Sequence, residues 1–267
     1  MPTPDPTDGQ QRFRSTVGHY LNGRPPYADR LIRRVAGLVG LGPAHSVLDL
    51  GCGPGQLARG FAPLAGAVVA MDPEPEMLRV AADASAGFTT VSFVRGGSEA
   101  LVPMLGRFRL VTMGRSFHWM DRAATLCRLD ALIEPGGAVA LFSTDAPPVP
   151  ENAWTESYSE IRRRYAGDRA ERRRQRSEGW MRHEGVLLAS PFCCVEGFCV
   201  FERRTIVAKS LVDRAFSMSS TSPERLGAQA AALQLEIEAL IAAIAPDGTL
   251  VEVVQSSALV ARRPDEA

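Results

Sequence analysis

The chain has 267 residues, 45% of them hydrophobic and 22% charged, and its Lys+Arg and Asp+Glu counts both stand at 30. Such a composition can bury a core, excludes a chain disordered throughout, and at zero formal charge argues against capture of nucleic acid by bulk positive charge. The five cysteines (Cys52, Cys127, Cys193, Cys194, Cys199) lack paired CxxC spacing, which argues against a disulfide framework or a metal site and for a reducing, cytoplasmic setting.

Residues 1–12 are polar and carry three prolines, and read as a disordered tail rather than a signal peptide or anchor. Leu31, Val35, Leu38 and Val39 recur at helical spacing and predict a helix over Tyr27–Val39. Strand and helix signals then alternate. Ser46–Leu50, Ala67–Met71, Val91–Val94 and Leu110–Met113 read as short apolar strands, with helices over Gln56–Leu64 and Glu74–Asp83. Asp121 reads as the N-cap of a helix through Ile133, which Pro135-Gly136-Gly137 breaks before a strand over Ala138–Ser143. Strands this short and this apolar belong to a parallel sheet covered on both faces, so the expected class is doubly wound α/β. Residues 145–191 are Pro-rich and then helical and Arg-rich, as in a lid inserted after the fifth strand. Strand signal returns over Val195–Val207. A long helix carrying Leu226, Leu233, Ile237 and Ile244 follows, then Asp247-Gly248 and a last strand over Thr249–Val260, which suggests an antiparallel edge. The expected organisation is a tail (1–12), a cofactor-binding core (13–144), the lid (145–191) and a C-terminal portion (192–263) that completes the sheet.

The segment Val47-Leu48-Asp49-Leu50-Gly51-Cys52-Gly53-Pro54-Gly55 carries the strongest chemical signal. A buried strand runs into glycines at alternate positions and then a helix, so the backbone can turn tightly and a ligand can lie against bare main chain. The spacing is G-x-G-x-G rather than G-x-G-x-x-G, which disfavours a nicotinamide dinucleotide. Asp72 ends the next strand, 21 positions after Gly51, where a carboxylate can accept both hydroxyls of a ribose. Ahead of Pro73 and Glu74 it would equally serve as a helix cap.

In combination these segments resemble the seven-strand, class I S-adenosylmethionine-dependent methyltransferases. VLDLGCGPG is similar to their first motif, VVAMDPEPEML to the second-strand acid with its helix, GSEAL to the segment after the third strand, RFRLVTMGRSFHWMD to the fourth-strand motif and LIEPGGAVAL to the fifth. The resemblance spans about residues 20–145. It implies the strand order 3-2-1-4-5-7-6 and S-adenosyl-L-methionine as cofactor. It implies that Gly51, Cys52 and Gly53 face the methionine moiety, that Asp49 reaches its amino group, and that Asp72, with Pro73 beside it, holds the ribose. Met77 would pack on the adenine, although a methionine on an amphipathic helix is also ordinary core. Ser98 stands where many relatives carry an aspartate for the adenine amine, with Glu99 as its substitute. Arg115, Ser116 and Phe117 would border the cofactor after the fourth strand. Tyr20-Leu21-Asn22-Gly23-Arg24-Pro25-Pro26-Tyr27 resembles the entry segment of one branch, in which Arg24 would neutralise the methionine carboxylate; a solvated surface arginine is the alternative.

Enzymes of this family that methylate exocyclic amines carry an (Asn/Asp/Ser)-Pro-Pro-(Tyr/Phe) turn after the fourth strand. Here the sequence is Gly114-Arg115-Ser116-Phe117-His118-Trp119, without either proline, and it resembles the branch containing trans-aconitate methyltransferase and related small-molecule enzymes. His118 is the candidate catalytic residue, taking a hydroxyl or carboxyl proton or orienting the acceptor; a structural histidine bonded to backbone is the alternative. The arginine run (Arg162, Arg163, Arg164, Arg169, Arg172, Arg173, Arg174, Arg176) is a solvated helix face, an anion-recognising lid or, less favoured, an RNA contact. The expected activity is methylation of a small molecule at oxygen. The alternatives are C- or N-methylation of a small metabolite, or methylation of RNA or protein through the Arg-rich segment. No metal and no membrane partner are expected, nucleic acid is disfavoured, and a homodimer is left open.

Overall fold

The structure is a computed structural model that describes residues 17–166 and 180–264. The expected tail at 1–12 and Arg169, Arg172, Arg173, Arg174 and Arg176 lie outside the described residues. In chain order the elements are α1 (Val17–Gly23), α2 (Asp29–Leu38), β1 (Ser46–Leu50), α3 (Gln56–Phe61), β2 (Ala67–Asp72), α4 (Pro75–Ala84) and β3 (Val91–Arg95). There follow β4 (Phe108–Gly114), α5 (Arg122–Asp130), β5 (Ile133–Asp145), α6 (Trp154–Tyr165), α7 (His183–Leu188), β6 (Cys194–Val207), α8 (Ser210–Phe216), α9 (Pro223–Leu226), α10 (Ala230–Ile244) and β7 (Thr249–Arg262). The seven strands form one sheet in the order β3-β2-β1-β4-β5-β7-β6, as the resemblance implied. β1 pairs in parallel with β2 and β4, β2 with β3, and β4 with β5, so these five strands end at the same edge of the sheet. Ala208 N–H donates to Gly248 O at 2.9 Å, tying the end of β6 to the start of β7 as an antiparallel hairpin would.

The chain divides into two compact units. One comprises Tyr27–Ser143, Gly179–Val200 and Ser256–Ala267; the other comprises Met1–Pro26, Thr144–Glu178 and Phe201–Gln255. In the first, neighbouring strand residues feed opposite faces: Val47, Leu110, Ala138 and Phe142 enter one apolar cluster, and Leu48, Val111, Val139 and Leu141 another. Two-sided burial is why these strands read as continuous apolar runs rather than alternating ones. In the second unit Tyr158, Leu211, Phe216, Leu233 and Ile237 share a separate apolar cluster.

Several boundaries differ from the sequence reading. Asp121 caps α5 as expected, its side chain accepting from Ala124 N–H at 3.0 Å, but α5 stops at Asp130 and Ile133 already belongs to β5. Pro135-Gly136-Gly137 therefore lies inside a strand. The β4–β5 register runs from Phe108↔Ile133 to Leu110↔Ala138, two steps against five, so the prolyl-glycyl segment is the bulge that absorbs the excess. Gly136, at φ +70°, lets it fold back, and Arg109 Nη1 donates to Pro135 O at 2.8 Å to hold it. The single long helix expected near the end is α9 and α10 separated by a 3-10 turn at Gly227–Gln229, because Gly227 adopts φ +52°. The helices α1 and α8 had not been read from the sequence.

Candidate cofactor-binding site

The carboxyl ends of β1, β2, β3 and β4 lie side by side, and the segments that follow them carry nearly all the expected cofactor residues. The loop after β1 is held open by three glycines in the left-handed region, Gly51 (φ +69°), Gly53 (φ +52°) and Gly55 (φ +75°). Gly51 and Cys52 both donate N–H groups to Met71 O, at 2.8 and 3.0 Å, which fastens the loop to β2. A Cβ at Gly51 would sit 2.6 Å from Ser116 Cβ, whereas a Cβ at Gly53 would meet nothing within 4 Å. One glycine is thus required for packing, and the other faces open space bordered by bare backbone, a surface that suits the flexible amino-acid tail of a cofactor.

Asp72 is 8% exposed; its Oδ2 accepts from Gly53 N–H at 2.8 Å and its Oδ1 from Glu74 N–H at 2.9 Å. The carboxylate joins the glycine loop to Glu74, the residue just ahead of α4; Glu74, not Asp72, is the N-cap of that helix, so the capping alternative for Asp72 does not hold. Burial pushes its pKa up, and the two N–H donors oppose that rise. Pro73 begins the turn into α4, and Met77 is 3% exposed on that helix's buried face together with Ala81.

Asp49 is placed differently from expectation. It is 1% exposed, and its oxygens accept from Ala58 N–H at 3.0 Å and Thr112 Oγ1–H at 3.0 Å. Instead of presenting a carboxylate to a ligand's amino group, it ties β1 to α3 and β4 beneath the loop. Burial pushes its pKa up to about 7, with a small further rise from Asp72, against the two hydrogen bonds and Arg59. Cys52 likewise turns its side chain into the apolar cluster, where burial raises the thiol well above its ordinary value and keeps it protonated.

After β3, Ser98 is buried at the start of a 3-10 turn, while Glu99 bends back to accept from Gly97 N–H through Oε1 at 3.1 Å. That backbone bond uses one oxygen of the exposed carboxylate expected to substitute at the adenine and leaves the other for a ligand. After β4, Arg115 is the one non-glycine at positive φ (+57°) among the described residues. Its backbone N–H donates to Phe142 O, its Nε to Tyr27 Oη at 2.8 Å and its Nη2 to Gln56 Oε1 at 3.2 Å. The strained residue is therefore fixed on three sides. Ser116 Oγ–H donates to Leu50 O at 2.9 Å, linking the same turn to β1. Phe117 is buried, His118 and Trp119 complete the 3-10 turn, and the His118 and Trp119 rings lie 4.8 Å apart.

Sequence reasoning missed four contributors in this unit. Thr112 anchors Asp49; Arg59 Nη1 grips Pro54 O of the loop at 2.6 Å; Tyr27 receives Arg115. The fourth is the segment at 180–183, which closes over the turn after β4. There His183 lies 5.2 Å from the Phe117 ring, and Arg122 sits 4.1 Å over Trp180 while Nη1 donates to Met181 O at 2.7 Å. Burial first, then the Arg122 and His118 charges, lower the His183 pKa, which keeps its Nδ1, 3.4 Å from Arg122 Nη1, an acceptor. Only the isolated polar Thr112 inside an apolar strand was a readable signal.

Tyr20 and Arg24 belong to the other compact unit. There Arg24 Nη2 donates to Ser217 O at 3.1 Å and its guanidinium lies 5.5 Å over the Tyr20 ring.

Residues 47–137 match a family model described as a methyltransferase domain. An uncharacterized methyltransferase of Mycobacterium bovis is 29% identical over 216 residues, 80% of this chain and 80% of its own length. The malonyl-[acyl-carrier protein] O-methyltransferase of Pseudescherichia vulneris is 35% identical over 112 residues, 41% of this chain and 43% of its own. Among solved structures, a protein of Anaeromyxobacter dehalogenans assigned as a type II methyltransferase aligns with TM-score 0.60 at 20% identity, covering 90% of this chain and 97% of that one. A SAM-dependent methyltransferase from Geobacter sulfurreducens, solved in complex with S-adenosyl-L-homocysteine, aligns with TM-score 0.53 at 14% identity, covering 95% and 98%. Motif order, strand order and family match agree: residues 47–137 carry a methyltransferase domain, and the chain is built on the class I methyltransferase fold.

Proposed function

We propose that this methyltransferase acts on a small organic acceptor in the cytoplasm, transferring the methyl group to a hydroxyl or carboxyl oxygen. The observation that carries the reading is the turn after β4: it lacks the double proline of amine methylation and places His118 just past the strand end. The partial likeness to an O-methyltransferase and the resemblance to the trans-aconitate methyltransferase branch support the same reading.

In this reading the backbone at Gly51 and Gly53 receives the methionine part, Asp72 holds the ribose through lone pairs its two N–H donors leave over, and Met77 and Ser98 border the adenine. Bound there, S-adenosyl-L-methionine supplies a methyl group already activated by the sulfonium. What remains for the chain is alignment and exclusion of water, so a sparse set of acid–base groups suffices. Arg115, Ser116 and Phe117 fix the turn that presents His118, and His118 takes or orients the proton of the acceptor oxygen. The test is titration with S-adenosyl-L-homocysteine, then incubation with methyl-labelled cofactor and extract of the source organism, with mass spectrometry of the labelled product. Micromolar binding and label on an oxygen of a small metabolite are expected. Label only in RNA or protein overturns the acceptor class.

A further inference from the structure

The described arginines of the Arg-rich segment have different surroundings. Arg163 is exposed and donates Nε to Ser159 O at 3.2 Å, and Arg164 is exposed and paired with Glu236. Both are solvated helix face. Arg162 instead lies 4.9 Å over the Tyr158 ring, donates through Nη1 to Met218 Sδ, and through Nη2 to Ser159 Oγ at 3.3 Å. Its Nε is sealed from solvent and meets no acceptor among the described residues. A thioether is a weak acceptor and a serine hydroxyl is neutral, so neither offsets a guanidinium charge withdrawn from water.

Among the described residues, two acids of this unit are already engaged elsewhere. Arg214 acts electrostatically on the same Tyr158 hydroxyl, as does Arg24, but Arg214 is matched by Glu252, which it grips at 2.7 and 3.2 Å. Asp213, on α8 with Arg214, is paired with His19 at 2.7 Å. Burial lowers the Arg162 pKa; Tyr158 opposes that, while the Arg214 and Arg163 charges lower it further, and the net direction is down. All these residues belong to one compact unit.

We propose that Arg162, with the Ser159 hydroxyl and the Tyr158 ring, is the binding point for the carboxylate of a small organic acid. One guanidinium fork beside aromatic and thioether walls fits a planar monoanion with an apolar body, whereas a phosphate dianion calls for more donors than the site offers. Met218 stands at the edge of the fork that the carboxylate takes, and an unbranched thioether repacks readily. The proposal adds to the reading above a separate site for a small carboxylate and does not depend on which acceptor is methylated.

The test uses the full chain with S-adenosyl-L-homocysteine, titrated with phenylacetate, with its neutral counterpart phenylacetamide and with inorganic phosphate. Phenylacetate is expected to bind at least about tenfold more tightly than phenylacetamide or phosphate, and Arg162→Met is expected to remove that preference while Arg162→Lys keeps part of it. In the absence of any carboxylate, Arg162→Met is expected to raise the melting temperature by about 2 °C or more, because it replaces an unpaired charge with an apolar chain of similar length. Equal binding of acid and amide by the unmutated chain, tighter binding of phosphate, or a lower melting temperature in Arg162→Met overturns the proposal. The homocysteine compound's own binding is read in the same titrations, so failure of the cofactor site is distinguished from failure of the carboxylate site.

Discussion

Asp72 Oδ2 accepts the Gly53 N–H at 2.8 Å, so the residue at the end of β2 holds the one glycine of the loop whose Cβ direction is open. The carboxylate positions the loop and borders the space the loop faces, and each of its oxygens keeps a second lone pair for a ribose hydroxyl. Asp72→Ala is expected to weaken S-adenosyl-L-homocysteine binding by about 2 kcal/mol, roughly 30-fold, measured by calorimetric titration. Unchanged affinity would leave Asp72 with only its role of fastening the loop to Glu74.

The two neighbouring glycines separate folding from binding. Gly51→Ala puts a Cβ 2.6 Å from Ser116 Cβ at φ +69°, so it strains the backbone and forces the turn after β4 away. A loss of about 2 kcal/mol or more is expected in denaturant unfolding. Gly53→Ala pays only the left-handed backbone cost, about 1 kcal/mol, because its Cβ meets nothing. Its effect should appear instead as a cofactor affinity at least about tenfold lower, since the methyl group occupies the face the cofactor is to cover. Equal losses of stability in the two variants would contradict this division.

Asp49 makes stability fall as the solution approaches neutrality. Its carboxyl titrates near pH 7 in the fold against an ordinary value of 3.8, so between these the native state holds more protons than the unfolded one. Stability contributed by this group is therefore full below the unfolded pKa and declines as pH rises, by at most about 1.4 kcal/mol per pH unit. Asp49→Asn is expected to flatten that decline in unfolding curves recorded between those two values. An identical slope in both proteins would show that Asp49 is not the titrating group.

The parts of this fold that were legible in the sequence are those written in one short segment. Two-sided strands declared themselves as VLDL and AVVAM, the glycine spacing marked the loop, and Asp121 announced a helix start because its cap is local. What failed was decided by partners distant in sequence. Pro135-Gly136-Gly137 looks like a terminator, yet Arg109 on the adjacent strand holds it as a bulge. Asp49 looks like a ligand acid, yet Thr112, 63 positions on, turns it inward. Likewise nothing near Phe117 foretells that His183 will cover it.

His118 is the remaining group whose role chemistry alone can settle. It sits in the 3-10 turn at Phe117–Trp119, presented by a residue, Arg115, whose unfavourable φ of +57° is stabilised by Tyr27, Gln56 and Phe142. Strain held in place this firmly at a strand end is characteristic of positions that present a reacting side chain. If His118 handles the acceptor's proton, His118→Ala should lower kcat by about 100-fold with little change in S-adenosyl-L-homocysteine affinity. His118→Gln, which can still hydrogen-bond but cannot carry the proton away, should recover acceptor KM but not kcat. A fall in cofactor affinity matching the fall in kcat would mean that the imidazole supports the turn instead, and full turnover in the alanine variant would remove it from the reaction. Steady-state kinetics on the acceptor identified by methyl labelling, together with calorimetric titration of both variants, distinguishes these outcomes.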